Sequence, residues 1–333
     1  DSEAPPAISQ PPVTDPNTGS RLLESYNVVF ALPFQTDRFS ASQGQVPANS
    51  AWALNFYSGA KMALDELQAE GARFRVSVLD TKATDAGMSE LIRRNPDFSS
   101  AHLIIGPYRR DNVRLAIEAA VKNQSVLVSP INADENLAVN NPNYIQVNPT
   151  LSTHSEAILK EVLRTHRPDQ VVLVCRARDV EVQRLRYFQD AYRQMMQQAF
   201  SRDTASLREF IIPDEGDNVG SLRINTQQLI QNRDTIAFIV PSWSSEVFIN
   251  ALLQQIDGVR APYSEFTVYG MPQWIEYERI DYNLYQNLKL HLSSSYYVNR
   301  EEWTVQDFQR LYFNRFGLMP AQESYLGYDI TLY

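Results

Sequence analysis

The chain has 333 residues, 44% hydrophobic, 21% charged and 11% aromatic, which excludes collagen-like, low-complexity and wholly disordered classes and leaves room for about two packed domains. Lysine and arginine total 30 against 39 aspartates and glutamates, and the net charge of −9 disfavours nucleic acid as the main partner. The longest apolar runs, VVLVC and TIAFIV, fall far short of the roughly 20 residues that cross a bilayer, so no transmembrane segment is expected.

Residues 1–25 open with DSEAPPAISQPPVTDPNTGS, five prolines without apolar periodicity, which reads as an extended linker or tail. The fold is expected to begin near Tyr26. Such a leader implies either a tether, through a lipid-anchored cysteine or another domain upstream, or a disordered terminus. The apolar run NVVFALP (27–33) predicts a buried strand, after which Trp52, Phe56, Ala60, Ala63, Leu64 and Leu67 recur at helical spacing. RFRVSVLD (73–80) is a strand, 84–94 a helix stopped before Pro96, and AHLIIG (101–106) a strand. A helix over 113–122, the strand SVLVS (125–129), a polar stretch to Pro142 and the strand YIQV (144–147) complete a first run.

After Pro149 the pattern restarts. Helices are predicted over 152–166, 180–200, 222–232 and 246–255, and strands over 170–175, 208–213, 235–241 and 265–271. LKLHLSSSYY (288–297) reads as a strand with a polar exit. Two helices follow, one with Phe308, Leu311, Tyr312 and Phe316 on one face, the other beginning near Ala321 and still running at Tyr333, as if the native chain continued. Two successive strand–helix runs predict an α/β protein with two doubly wound parallel sheets covered by helices on both faces.

In open parallel sheets, ligands bind beyond the carboxyl ends of the strands. Those ends supply the candidate ligand-binding residues: Phe34, Gln35, Tyr108, Arg109, Ser129 and Asn132 in the first run, and Arg176, Trp243, Gln273 and Trp274 in the second. Tyr and Trp there suit an organic ligand, and equally suit capping of a sheet. Arg109, Arg110, Arg176 and Arg178 are candidates to converge on an anion, with solvated or ion-paired loop residues as the alternative. Trp243 and Trp274 are candidates to stack on a ring or sugar, with interface packing as the alternative.

Catalysis is not expected: there is no G-x-S-x-G, G-x-x-x-x-G-K-[ST] or H-E-x-x-H motif. The single cysteine, Cys175, follows a buried strand and reads as a core thiol, and His154 as a surface or hinge residue. Four scattered histidines offer no metal-ligand spacing, so neither metal nor cofactor is expected.

The succession VVFALPF, ALNFYSGAKMALDEL, FRVSVLDTKAT, LIIGPYRRDN, VLVSPINADENL and IQVNPTLSTHSEAI, with the tail FQRLYFNRFGLMPAQESYLGYDITLY, resembles the type I periplasmic binding proteins, specifically the branched-chain amino acid receptor branch. The resemblance implies two lobes interleaved by three crossover segments and a small molecule captured in the cleft between them. Lobe one would comprise 26–148 and 297–333, and lobe two 149–296. Crossings would fall near 147–150 and 293–297, and a third beyond Tyr333. It also implies a periplasmic or otherwise extracytoplasmic protein, lipid-anchored or linked to another domain, whose partners are a small-molecule ligand and a membrane transporter.

The loops depart from the family pattern. The GP loop continues Tyr108-Arg109-Arg110 without a serine, and Ala133 stands where a hydroxyl is usual in the SP loop. Arg176-Ala177-Arg178-Asp179 replaces the usual Tyr-Gly pair, and Gln273-Trp274 replaces an acid, with Glu276 the nearest carboxylate. These departures point away from a standard α-amino acid pocket, so the resemblance leaves two functions open. One is a solute-binding protein for an ABC transporter, taking an amino-acid-like or other polar or anionic solute. The other is a degenerate binding-protein-like domain acting as an envelope interaction or regulatory module, like that of lipoproteins that activate cell-wall synthases. A receptor ectodomain would need a membrane helix after Tyr333, and a sugar-responsive repressor is set aside because no DNA-reading helices precede the first strand.

Overall fold

The computed structural model describes residues 23–39, 46–199, 206–214, 224–231 and 233–333. The proline-rich stretch read as a linker lies outside the described residues up to position 22, as does Phe200 at the end of a predicted helix.

In chain order the first elements are β1 (Tyr26–Leu32), α1 (Ala48–Ala69), β2 (Phe74–Asp80), α2 (Asp85–Arg94), α3 (Pro96–Ser99), β3 (Leu103–Ile105), α4 (Arg110–Asn123), β4 (Val126–Ser129), α5 (Glu135–Ala138) and β5 (Tyr144–Gln146). They are followed by α6 (Leu151–Thr165), β6 (Val171–Arg176), α7 (Asp179–Gln198), β7 (Arg208–Ile212), α8 (Thr226–Ile230), β8 (Thr235–Ile239), α9 (Glu246–Gly258), β9 (Glu265–Gly270), α10 (Tyr282–Asn287) and β10 (His291–Leu292). The helices α11 (Trp303–Phe316) and α12 (Gln322–Leu332) come last. Two compact units result: one takes the described residues up to Asn148 together with Val298–Tyr333, the other takes those of Pro149–Tyr297.

Each unit holds one five-stranded parallel sheet, as the alternation of elements predicts. The strand orders are β2-β1-β3-β4-β5 and β7-β6-β8-β9-β10. The two orders are the same, and in each the direction of winding reverses beside the first strand, between β1 and β3 and between β6 and β8. That reversal splays the following connections to opposite faces and opens a crevice at the carboxyl end of the strands.

β1 shows why both faces need cover. Val28, Phe30 and Leu32 point to one side and meet Phe56 and Ala60 of α1, while Val29 and Ala31 point to the other and meet Met88, Val113 and Ala116. In the second unit β6, β8 and β9 share one continuous core with Leu185 and Phe188 of α7 and Phe248 and Leu252 of α9.

Several local expectations change. Two short helices arise in polar stretches, α5 capped by Asp134 and α10 capped by Asp281, whose carboxylates accept backbone N–H bonds. α4 starts at Arg110, three residues before its apolar periodicity becomes visible. The helix expected over 222–232 is only Thr226–Ile230: Asn225 caps its start and Gln231 ends it at φ 49°, while 222, 223 and 232 lie outside the described residues. The strand expected over 288–297 pairs with β9 only at His291 and Leu292. Lys289 turns into it at φ 42°. On α11, Phe308 and Tyr312 are buried but Leu311 is 46% exposed.

α12 packs against α1 within the first unit. α12 crosses α1 so closely that a Cβ on Gly59 would lie 1.7 Å from the Ser324 carbonyl oxygen, and one on Gly327 2.0 Å from that of Phe56. No side chain fits either position. Gly59→Ala is therefore expected to destabilise the first unit by about 1–3 kcal/mol, read as a fall in Tm; an unchanged Tm would show that the helices can part without loss.

Candidate functional site

In the first unit, Phe34 and Gln35 leave β1 and Tyr108 and Arg109 leave β3, so they flank the winding reversal. Asp80, at the end of β2, holds the β1 loop: it accepts N–H bonds from Gln35 at 2.9 Å, Thr36 at 2.8 Å and Lys82 at 2.8 Å, and the Thr36 hydroxyl at 2.8 Å. Burial works against its ionisation, but these donors outweigh it and keep the carboxyl below the usual range.

The start of α1 supplies partners that the sequence reading did not single out. The Ser50 hydroxyl donates to the Phe34 carbonyl at 2.6 Å, the Tyr108 hydroxyl donates to Asn49 at 3.0 Å, and Trp52 lies 5.1 Å from the Tyr108 ring. Arg109 donates to the Ala83 carbonyl, and Arg110 forms an ion pair with Asp134 at 2.6 Å. At the end of β4, the buried Ser129 hydroxyl points at the Pro107 carbonyl, 3.4 Å away, and Asn132 donates to the Tyr144 hydroxyl at 3.0 Å. Phe34, Tyr108, Asn49 and Trp52 thus form a polar and aromatic rim, whereas Gln35, Ser129 and Asn132 are buried.

In the second unit the crevice beside β6 is bridged by a buried carboxylate. Glu181, in the first turn of α7, accepts the Arg176 N–H at 3.1 Å, its Nε–H at 2.9 Å, the Ser242 hydroxyl at 2.5 Å and the Ser244 hydroxyl at 3.0 Å. Arg176 also donates from Nη2 to Glu181 and to Ser244, and its guanidinium lies over Phe248, 4.5 Å from the ring centroid. Arg178 pairs with Asp214 at 2.8 Å. All four loop arginines named as anion candidates therefore have a protein acceptor.

Trp274 is fully buried, and its indole N–H donates to the Ser242 carbonyl at 2.7 Å. Its ring belongs to the core and offers no face for stacking. Trp243 is half-buried and already stacked: the Arg184 guanidinium carbon lies 3.4 Å from its ring centroid. Tyr277 donates to the Trp243 carbonyl at 2.6 Å, fixing the loop below, and Gln273 is exposed.

Arg184 is the residue that the sequence reading missed. It follows Glu181 by three positions, which puts both on one face of α7. Its Nη1 is buried without an acceptor. Burial lowers its pKa; nearby Glu181 opposes that and Arg176 adds to it. Glu181 acts on Arg184 through space, but its hydrogen-bonding capacity is taken by Arg176 and two serines, and among the described residues nothing accepts from the Arg184 Nη1. The only available signal was this i, i+3 spacing just after a strand end, which a solvated helix also shows.

Cys175, next to this network, is a buried thiol pushed up to about 12, chiefly by burial. Among the described residues, no group of three or more His, Cys, Asp or Glu is placed to hold a metal, and no helix is long and apolar enough to cross a membrane.

No protein-family profile and no curated protein matches the chain. Solved structures do. A protein from Rhodospirillum rubrum assigned to branched-chain amino acid ABC transport is similar over 91% of this chain and 81% of its own, at 14% identity and a TM-score of 0.65. An ABC transporter substrate-binding protein from Desulfitobacterium hafniense is similar over 92% of this chain and 82% of its own, at 13% identity and a TM-score of 0.61; its complex with Leu gives a TM-score of 0.57. The chain therefore has the two-sheet α/β fold of the type I periplasmic binding proteins.

Two outcomes test this network. Burial would raise the Glu181 pKa, but the bonds from Arg176, Ser242 and the Arg176 backbone outweigh it and hold the carboxyl below its ordinary value. A depressed carboxylate stabilises the fold above its unfolded pKa and loses that contribution as pH falls through the folded one. Glu181→Gln should destabilise the native state by about 3–5 kcal/mol at neutral pH, because it leaves Arg176 buried without its anion, and should flatten the acid limb of the Tm–pH curve. Cys175 should resist iodoacetamide in the native protein and react on unfolding; rapid native labelling would contradict its burial.

Proposed function

We propose that this chain is an extracytoplasmic solute-binding protein that holds a small organic anion at the carboxyl-end loops of its sheets and passes it to a membrane transporter. The observation that carries the reading is Arg184: a guanidinium stacked on Trp243, beside the winding reversal of the second sheet, whose buried Nη1 has no hydrogen-bond acceptor among the described residues. A carboxylate-bearing solute would supply the missing anion, and Trp243 would already hold the fork in place. The similar substrate-binding structures support the solute-binding part of this reading, and the proline-rich leader fits a tether. An α-amino acid is a poorer fit than a simple anion, because its ammonium group needs an acid, and Asp80 and Glu181 are both saturated by protein donors.

The second reading is a domain that binds another envelope protein in place of a solute. It is favoured by the loop arginines, since Arg109, Arg110, Arg176 and Arg178 are all tied to groups of the protein itself.

A thermal-shift panel of aliphatic and aromatic carboxylates, with leucine included, separates the two. A ligand at about a hundred times its Kd adds roughly 2.7 kcal/mol of stability, a rise of several degrees. At least one carboxylate should give that rise, and Arg184→Gln should abolish it while leaving the circular dichroism unchanged. A panel with no shift at all would favour the interaction domain.

A further inference from the structure

We infer that the groove between α1, α11 and α12 is a docking surface for a basic amphipathic helix of a partner protein. The groove encloses about 590 Å³ and lies on the outer helical layer of the first unit. Its apolar part is unusually open: Trp303 is 77% exposed and Leu311, two turns further along α11, is 46% exposed. Met62 of α1 and Tyr328 of α12 form the opposite wall. The α11 residues lining it, from Trp303 through Phe308 and Leu311 to Arg315, extend over about 18 Å, enough to seat three turns of a helix presenting anchors at i, i+3/4 and i+7.

Charge selects the occupant. Glu301 and Glu302 immediately precede Trp303, and Glu66 and Asp307 line the groove, Asp307 already sharing its charge with Arg310 one turn on, so that Glu66, Glu301 and Glu302 carry most of the acidic field. Glu66 accepts the Tyr328 hydroxyl at 2.5 Å, a neutral partner that leaves its charge in place. The one cation in the lining, Arg315, is engaged by Asp65 outside it. An exposed indole among carboxylates is a site for lysine or arginine, held through the ring face and by the acids. A second copy of this chain is a poor occupant, because a two-fold contact would set this acidic row against itself in a protein of net charge −9.

The test titrates a labelled amphipathic helix of leucine and lysine, about 18 residues long, and its leucine–glutamate counterpart into the whole chain, by fluorescence anisotropy at low ionic strength. The lysine peptide should bind and the glutamate peptide should not. Trp303→Ala, Leu311→Asp and Asp307→Lys should each weaken binding about tenfold with unchanged circular dichroism. Glu156→Lys, the same charge change on an exposed helix of the other unit, should leave it within about twofold. The proposal is overturned if the lysine peptide does not bind, if the glutamate peptide binds equally, or if Glu156→Lys weakens binding as much as Asp307→Lys. A concentration-dependent dimer that Leu311→Asp disperses would equally overturn it, by assigning the groove to self-association. None of these outcomes depends on Arg184 or on carboxylate binding.

Discussion

A parallel sheet has no face that water can cover cheaply, because its strands are joined by crossovers that lie across both faces. Most of this structure follows from that constraint. The central strands must be apolar on both sides, as β6 is from Val171 to Cys175, whereas the edge strands β2 and β7 keep polar, partly exposed positions. Helices must alternate with them, and every strand must leave its sheet at the same edge. The variable chemistry of the chain is thereby gathered onto one rim of each sheet, and the winding reversal decides where on that rim a crevice opens.

The same constraint explains which features could be read from residues alone. Continuous apolar runs such as VVLVC and TIAFIV announce their strands, and the helices between them follow from spacing, so the α/β class and the two parallel sheets were legible. β10 was not, since LKLHL has strand composition but only two residues find a partner. Short helices such as α5 and α10 depend on a single capping carboxylate and carry no apolar period. At the rims, residue type and fate separate. Arg176 and Trp274 look like ligand contacts because they follow strand ends, yet one is consumed by Glu181 and the other by the core. Arg184 is one of several charged residues in a long polar helix, and only a tryptophan 59 positions later in the chain distinguishes it.

The Arg176–Glu181 pair deserves weight for what it removes from the surface. A buried ion pair is seldom a strong source of net stability, because both charges lose water. Here it joins the ends of β6 and β8 through two serine hydroxyls and leaves neither charge available to a solute. The crevice is thus polar but largely self-satisfied. Beside it stands the stacked Arg184 cation, on which the proposed preference for a carboxylate over a zwitterion rests.

The close crossing of α1 and α12 also bears on the order in which the protein can be made. Glu66 and Tyr328 are bonded across 262 residues of chain, and the Gly59–Ser324 approach spans a similar interval. Closing so long a loop is slow and is rewarded only at the end. During synthesis residues 149–297, continuous in sequence, can fold together while the first unit still lacks α12. Until α12 emerges, the face of α1 that carries Gly59 is uncovered. The first unit to begin therefore waits on a contact 262 residues further along the chain, and the Gly59 face of α1 marks where a nascent chain of this protein would be most in need of a chaperone.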